Sequence, residues 1–239
     1  ILLRILKRTV IGLIALAIIL TITTILYMKQ SKFGKKAEGA RLERMQQSKH
    51  YNKVDGVFEN INFTPTLMEG YSMFGIVMDQ LFKKHPGRRP EAIIPSVHTD
   101  IKSLPEDSNL LIWFGHSSYL LQIDGIKFLV DPVFSGNASP IPGSVKAFEG
   151  SNTYRVEDMP DVDYILISHD HYDHLDYESI TALKPKVKKV ICGLGVGAHF
   201  ESWGYPPENI IETDWWETIN IENGFTIKTA PTRHFSGRK

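Results

Sequence analysis

Ile167-Ser-His-Asp-His-Tyr-Asp-His-Leu175 decides how this chain is read, because it packs His169, His171, Asp173 and His174 into six positions. Tyr164-Ile-Leu-Ile167, just ahead, is a short apolar run with the character of a buried strand. The polar cluster therefore begins where a strand ends, the place where layered α/β folds put their sites. Residues two apart in an extended segment project to one side, so His169 and His171 can reach one ion. Asp173 and His174 follow at the turn, aimed at a second position. Neutral imidazole and carboxylate donors without thiolate suit Zn²⁺, with Fe or Mn less well matched. The competing reading is a solvated, His-rich loop. Only nine histidines exist in the chain and three fall here, which argues against it.

Composition sets the frame around this cluster. At 239 residues and 42% apolar the chain can bury a sizeable core. A formal net charge of zero argues against a general nucleic-acid binder, which carries a basic excess or a dense basic stripe. Cys192 is the only cysteine, so neither an internal disulfide nor a Cys-ligated metal is available. It lies in the apolar run Val190-Ile-Cys192 and reads as a small buried side chain.

From Val10 to Met28 no residue is charged. As a helix this stretch spans roughly 28 Å, enough to cross a bilayer. An uncleaved anchor is preferred to a signal peptide, because the apolar stretch is long for such a leader and no small-x-small cleavage site follows it before Lys29. Arg4, Lys7 and Arg8 precede the span and Lys29, Lys32, Lys35, Lys36, Arg41 and Arg44 follow it, so the side of the membrane stays open. Residues 1–28 are thus a basic N-terminus with a transmembrane anchor. Residues 29–107, first basic and then punctuated by prolines from Pro65 to Pro105, read as a juxtamembrane linker and irregular lead-in. The basic run is either a solvated linker or a contact with anionic headgroups.

From Asn109 the pattern tightens into strands. Leu110–Phe114 and Tyr119–Ile123 are apolar, and Asp124-Gly125 joins the second to Lys127–Val130 in a hairpin signal. Asp131-Pro132 closes that strand with a carboxylate expected to be buried. Asp176 is placed to cap a helix through Leu183, ahead of Pro185. Strand Lys189–Cys192 leads into Gly193-Leu-Gly-Val-Gly197. That run has neither the G-x-G-x-x-G spacing nor a following lysine and hydroxyl, so it reads as a strand-to-helix turn and not a nucleotide site. Asn209–Glu212 is a further strand, and Thr218–Ile221 and Phe225–Thr229 flank Asn223-Gly224 as a second hairpin. His234 stands past that hairpin, sixty residues beyond His174, and joins the metal-ligand candidates. Trp203, Trp215 and Trp216 read as core aromatics in preference to a lipid-docking surface.

These residues resemble the metallo-β-lactamase superfamily, through His169-x-His171-x-Asp173-His174 and the later His234. Within it, Trp113-Phe-Gly-His-Ser-Ser118, Phe128-Leu-Val-Asp-Pro-Val-Phe134, Ile167 to Tyr177, Glu208-Asn-Ile-Ile-Glu-Thr-Asp-Trp-Trp-Glu217 and Pro231-Thr-Arg-His234 resemble the branch of phospholipases D that hydrolyse N-acylphosphatidylethanolamine. The resemblance runs from about Pro105 to Lys239. Ascorbate-lactonase-like members share the Gly-His-Ser-Ser and Asp-Pro elements and are the nearest competitor.

The resemblance implies an α/β fold, the αββα sandwich, with two Zn²⁺ at one edge and residues 108–239 as the N-terminal part of the hydrolase domain. It implies that His169, His171 and His234 hold one ion and that Asp173 and His174 hold the other, together keeping the hydroxide nucleophile. Asp131 would orient the ligands from behind. His116 would support them likewise, or be a buried structural histidine. The implied activity is phosphodiester hydrolysis on a membrane lipid, with a lactonase-like hydrolase and an inactive remnant as alternatives. In this superfamily a bridging aspartate and a further histidine come from the second half of the sandwich, and neither occurs before Lys239. The expectation is therefore a fragment truncated at its C-terminus, poorly folded and nearly inactive as residues 1–239 alone.

Overall fold

The computed structural model describes residues 1–238. Helix α1 (Leu2–Met28) leads, followed by a single turn at Ser31–Phe33, helix α2 (Gly39–Gln47), the two-residue strands β1 (Tyr51–Asn52) and β2 (Val57–Phe58), and helix α3 (Met73–Phe82). Then come β3 (Leu110–Gly115), β4 (Ser118–Ile123), β5 (Ile126–Val130), β6 (Val162–Ile167), α4 (Tyr177–Leu183), β7 (Val187–Gly193), α5 (Gly197–Ser202), β8 (Ile210–Thr213), β9 (Thr218–Asn220) and β10 (Thr226–Lys228).

Six of these strands form one sheet in the order β3-β4-β5-β6-β7-β8. β3, β4 and β5 meander antiparallel, and β5 to β8 run parallel. The β4–β5 turn is Asp124-Gly125, with φ of 47° and 81°. This left-handed pair suits the right-handed twist of the flanking strands, as the sequence predicts. Parallel strands share a direction, so β5, β6, β7 and β8 all deliver their C-termini to one edge of the sheet. β4 runs against β5, and the β3–β4 loop comes to that same edge.

Side-chain alternation divides the core in two. Leu120, Leu129, Ile165, Val190 and Cys192 face α4 and α5, meeting Ile180, Leu183 and Phe200. Ile126, Phe128, Tyr164 and Ile191 face the other way and are covered by Ile219, Ile221, Phe225 and Ile227 of the β9–β10 hairpin. Successive residues along a strand point to opposite faces, so these short apolar runs need partners on both sides. Among the described residues the second sheet of the expected sandwich is this two-stranded hairpin. The mixed α/β fold and the buried Cys192 agree with the sequence reading.

The lead-in differs from a detached linker. Phe33 is buried, Trp203 Nε1 donates to the Ser31 carbonyl at 2.8 Å, and the Lys35 amide donates to His199 Nδ1 at 3.0 Å. Arg41 reaches Glu212 at 2.9 Å and Glu201 at 2.8 Å. The reason is compensation: a buried carboxylate at the end of β8 needs a cation, and α2 carries one there. Of the basic residues read as linker or headgroup contacts, Arg41 and Arg44 are thus spent on the domain itself, Arg44 on Glu217 at 2.9 Å.

Helix α1 is the one described helix long and apolar enough to cross a membrane, and none of its residues is buried. It begins well before Val10, taking in Arg4, Lys7 and Arg8. Its last turn touches the domain, where Tyr27 Oη donates to the Pro140 carbonyl at 2.6 Å.

Candidate metal centre

β6 ends at Ile167, and the chain then makes the turn that carries the cluster. The buried Leu175 closes it, its amide donating to the His171 carbonyl at 2.8 Å. The two-residue alternation places His169 and His171 on one side, with ring centroids 4.6 Å apart. Asp170, between them, points into the protein and is buried. His234 arrives from beyond β10, its Nε2 3.1 Å from His171 Nδ1 across 63 residues of sequence. His169, His171 and His234 each offer a ligand atom within 4.8 Å of the others.

A second triad lies beside the first. His116, Asp173 and His174 also bring one ligand atom each within 4.8 Å of one another. His174 and His169 are in ring contact at 4.0 Å, so the two triads share a wall. Asp131 lies behind them at the end of β5, with a left-handed φ of 41°. One of its oxygens accepts from the Ser168 amide at 2.8 Å. The other accepts from Ser168 Oγ at 2.6 Å and lies 2.8 Å from His174 Nδ1. A carboxylate at Nδ1 keeps the proton there and turns the lone pair of Nε2 outward toward Asp173.

The electrostatics follow from this packing. Burial, reinforced by repulsion from His174, His171 and His234, holds the His169 pKa down at about 4. Burial and the neighbouring His234 depress His171 in the same direction. Both rings are thus neutral at physiological pH, the state in which imidazole binds metal. Burial also pulls His174 downward, but the hydrogen bond and charge of Asp131 outweigh it and its pKa is raised.

The donors fit a metal ion. The buried Nε2 of His169 has no hydrogen-bond partner, while its Nδ1 lies 3.0 Å from Ser168 Oγ. Buried polar atoms are rarely left unpaired, so an orphan aimed into a ring of imidazoles points to a ligand. Four-coordinate bonds of about 2.05 Å set neighbouring donors about 3.3 Å apart, close to the separation of the His171 and His234 nitrogens.

Of the two readings offered for His116, the buried structural histidine is the one the structure corrects. Its side chain is 60% exposed and its Nε2 lies 3.0 Å from Asp173 Oδ2. It sits in the two-residue loop joining β3 to β4 with φ of 47°, a left-handed conformation that is uncommon outside glycine. Asp176 precedes α4 as expected but makes no side-chain cap. Its carboxylate instead accepts from the Ser179 hydroxyl at 2.5 Å and the Ser135 amide at 3.1 Å.

The glycine run is a turn, as read. The Gly195 and Gly197 amides donate to Glu212 Oε1 at 2.9 and 2.8 Å, so an internal carboxylate takes the place a phosphate would have. Trp203 is in the core, Trp215 is half-buried against His50, and Trp216 is exposed, which corrects the core assignment for that residue.

Sequence reasoning missed the back of the metal loop. Asp170 accepts from Ser236 Oγ at 2.6 Å and from the Gly237 amide at 3.3 Å, and His199 Nε2 is 3.7 Å away. Buried Arg238 donates to the carbonyls of Asp170, Leu175 and Lys32. Period-two alternation could have flagged Asp170 as facing inward; nothing local marks Arg238 or His199.

Residues 127–239 match the family model described as the beta-lactamase superfamily domain. An uncharacterized protein of Mycobacterium tuberculosis is 36% identical over 194 residues, which cover 81% of this chain and 51% of that protein. N-acyl-phosphatidylethanolamine-hydrolyzing phospholipase D 1 of Caenorhabditis elegans is 35% identical over 141 residues, 53% of this chain and 38% of that protein. A metal-dependent hydrolase of Pyrobaculum neutrophilum is 25% identical over 126 residues, 53% of this chain and 51% of that protein. The chain spans about half the length of the mycobacterial relative it matches.

Proposed function

Residues 127–239 form a domain of the beta-lactamase superfamily, and on that premise we propose that the chain is a membrane-anchored, zinc-dependent hydrolase acting on the phosphodiester of N-acylphosphatidylethanolamine-type phospholipids. The observation that carries the reading is the convergence of three imidazoles, from two segments 63 residues apart, on one point beside a second donor triad. His169, His171 and His234 would hold one ion, and Asp173 and His174, joined by His116, would hold the other. When bound, such a pair supplies Lewis-acid polarisation and a water acidic enough to act as nucleophile at neutral pH.

The chain's own residues prepare the site. Burial keeps His169 neutral, with its unpaired Nε2 directed inward. Asp131 locks the His174 tautomer and, through Ser168, the start of the metal loop. Asp170 and Arg238 fix that loop from behind. Asp173, 3.0 Å from His116, puts a carboxylate at the open side, where a substrate would approach. The apolar α1 supports a location at the lipid surface.

The test is metal content together with two assays on the whole protein, as its source cell makes it, in mixed micelles: headgroup release from an N-acylated phosphatidylethanolamine, and opening of a small lactone. The reading expects up to two zinc ions per chain, with headgroup release lost in His169→Ala. Lactone opening without headgroup release would replace the lipid substrate by a lactone. A chain that binds no divalent metal would overturn the hydrolase reading altogether.

A further inference from the structure

Helix α3 has no counterpart in the metal chemistry. It is well started, Ser72 Oγ accepting from the Gly75 amide at 3.1 Å, yet none of its residues is buried. Phe74, Leu81 and Phe82 are 75%, 68% and 74% exposed, alongside exposed Met73, Val77 and Met78. At about 100° per residue these six side chains occupy one contiguous half of the helix, while Ile76, Asp79 and Gln80 share the other. A ten-residue helix is marginal in water without a partner, so this face is built to be covered.

The residues after the helix indicate the chemistry of the cover. Lys83-Lys-His-Pro-Gly-Arg-Arg89 holds four permanent cations and no acid. Lys83, His85, Arg88 and Arg89 line an open recess of about 300 Å³. The single acid on α3, Asp79, is already engaged by Lys83 and by His85 at 3.2 Å. Asp79 thus pairs with Lys83 and leaves Lys84, Arg88 and Arg89 in excess, and an apolar half-cylinder that ends in such a cationic excess complements an anionic lipid surface. At ~1.5 Å per residue the helix is about 15 Å long, far short of a bilayer's hydrocarbon core, so it can only lie in the interface.

The segment bearing α3 is also tethered at the metal centre. Where it leaves the domain, Asn60 Oδ1 accepts from the His234 amide at 3.3 Å. Where it returns, the Ile94 amide donates to the Glu149 carbonyl at 3.0 Å. Two residues further on, the Ser151 carbonyl lies close against Gly115, next to His116.

We infer that α3 is an in-plane docking helix for an anionic bilayer, with Phe74, Leu81 and Phe82 among the acyl chains and the 83–89 cations at the headgroups. This rests on the reading that the chain is held at a membrane by α1, and deepens it: docking by α3 would give the domain a second hold on the bilayer, through a segment whose start is hydrogen-bonded to His234 of the metal centre.

The test uses the full chain reconstituted in vesicles of phosphatidylcholine and phosphatidylglycerol at about 7:3, a composition chosen for negative surface charge. Phe74→Cys carries an environment-sensitive fluorophore, and Val54→Cys, in the exposed β1–β2 turn, serves as the control; buried Cys192 escapes labelling. Docking is expected to shift the emission at 74 to the blue and to let spin-labelled lipids quench it, leaving the label at 54 unaffected. Replacing Lys83, Lys84, Arg88 and Arg89 by Glu should reverse the shift. A chain that floats with the vesicles while position 74 stays aqueous overturns the docking helix and leaves the anchor standing. A blue shift without quenching by spin-labelled lipid means a protein covers the face, and also overturns it. A chain that does not float overturns both.

Discussion

Asp131→Asn tests how the site is organised. Asn keeps the shape of the side chain and tolerates the left-handed backbone, φ 41°, so the substitution isolates hydrogen-bond chemistry. Asp131 accepts from the Ser168 amide at 2.8 Å on one oxygen, and on the other from His174 Nδ1 at 2.8 Å and from Ser168 Oγ at 2.6 Å, a hydroxyl that can turn to accept instead. The backbone amide cannot become an acceptor, so it claims the single oxygen of Asn. The new NH₂ then faces His174 Nδ1, which can accept only by moving its proton to Nε2. That is the nitrogen turned toward Asp173, and a protonated nitrogen is no ligand. One charge-assisted hydrogen bond is worth about 1.5–3 kcal/mol. At about 1.4 kcal/mol per decade this gives roughly 10- to 100-fold weaker binding at the His174 position. The assay is a zinc titration of the full chain against a chromophoric chelator, fitted to two sites. The loss should fall on one site, with binding by His169, His171 and His234 kept. Both constants within about threefold of wild type would refute the argument, because Asp131 would then not control the His174 tautomer.

Three further outcomes are expected. Gly237→Ala would put a Cβ 2.1 Å from His171 Cδ2. The imidazole must move, and zinc affinity at the three-histidine position should fall about tenfold or more with an unchanged far-UV circular dichroism spectrum. Glu212→Ala removes the acceptor of two glycine amides and strands Arg41, keeping only its contact with Glu201. A loss of about 3 kcal/mol is expected in urea unfolding, and a loss below about 1 kcal/mol would mean that the docking of α2 does not depend on this pair. For Asp176, burial comes first among the causes that raise its pKa to about 6. A carboxyl raised above its unfolded value favours folding when protonated, so its contribution is fully present below about pH 4 and is lost as pH rises through about 6. In chelator, the urea midpoint of wild type relative to Asp176→Asn should therefore decline between pH 4 and 7, and an increase would contradict the burial argument.

How much of the molecule was legible in the sequence depends on the distance over which each contact acts. His169, His171, Asp173 and His174 were legible because they lie within six residues, and the period-two geometry of a strand end is a local property. Asp131 was legible from Asp-Pro at a strand terminus, and the strands from Leu110 to Thr213 from apolar runs bounded by turn residues; observed ends shifted by a residue or two, as fraying boundaries do. The order of the strands in the sheet was not legible. It is the parallel alignment of β5 to β8 that gathers Asp131, Ser168 and Glu212 at one edge, and the antiparallel return of β4 that brings His116 against Asp173. The same holds for Arg238 behind the metal loop, Arg41 on Glu212, and the bare apolar half of α3. By itself the sequence determined which side chains could bind a metal and which stretch could cross a membrane, since both are written in neighbouring residues. Only the tertiary structure decided which of those donors meet and what lies behind them, because partners tens to hundreds of residues apart are chosen by packing, and packing leaves no periodic trace in the chain.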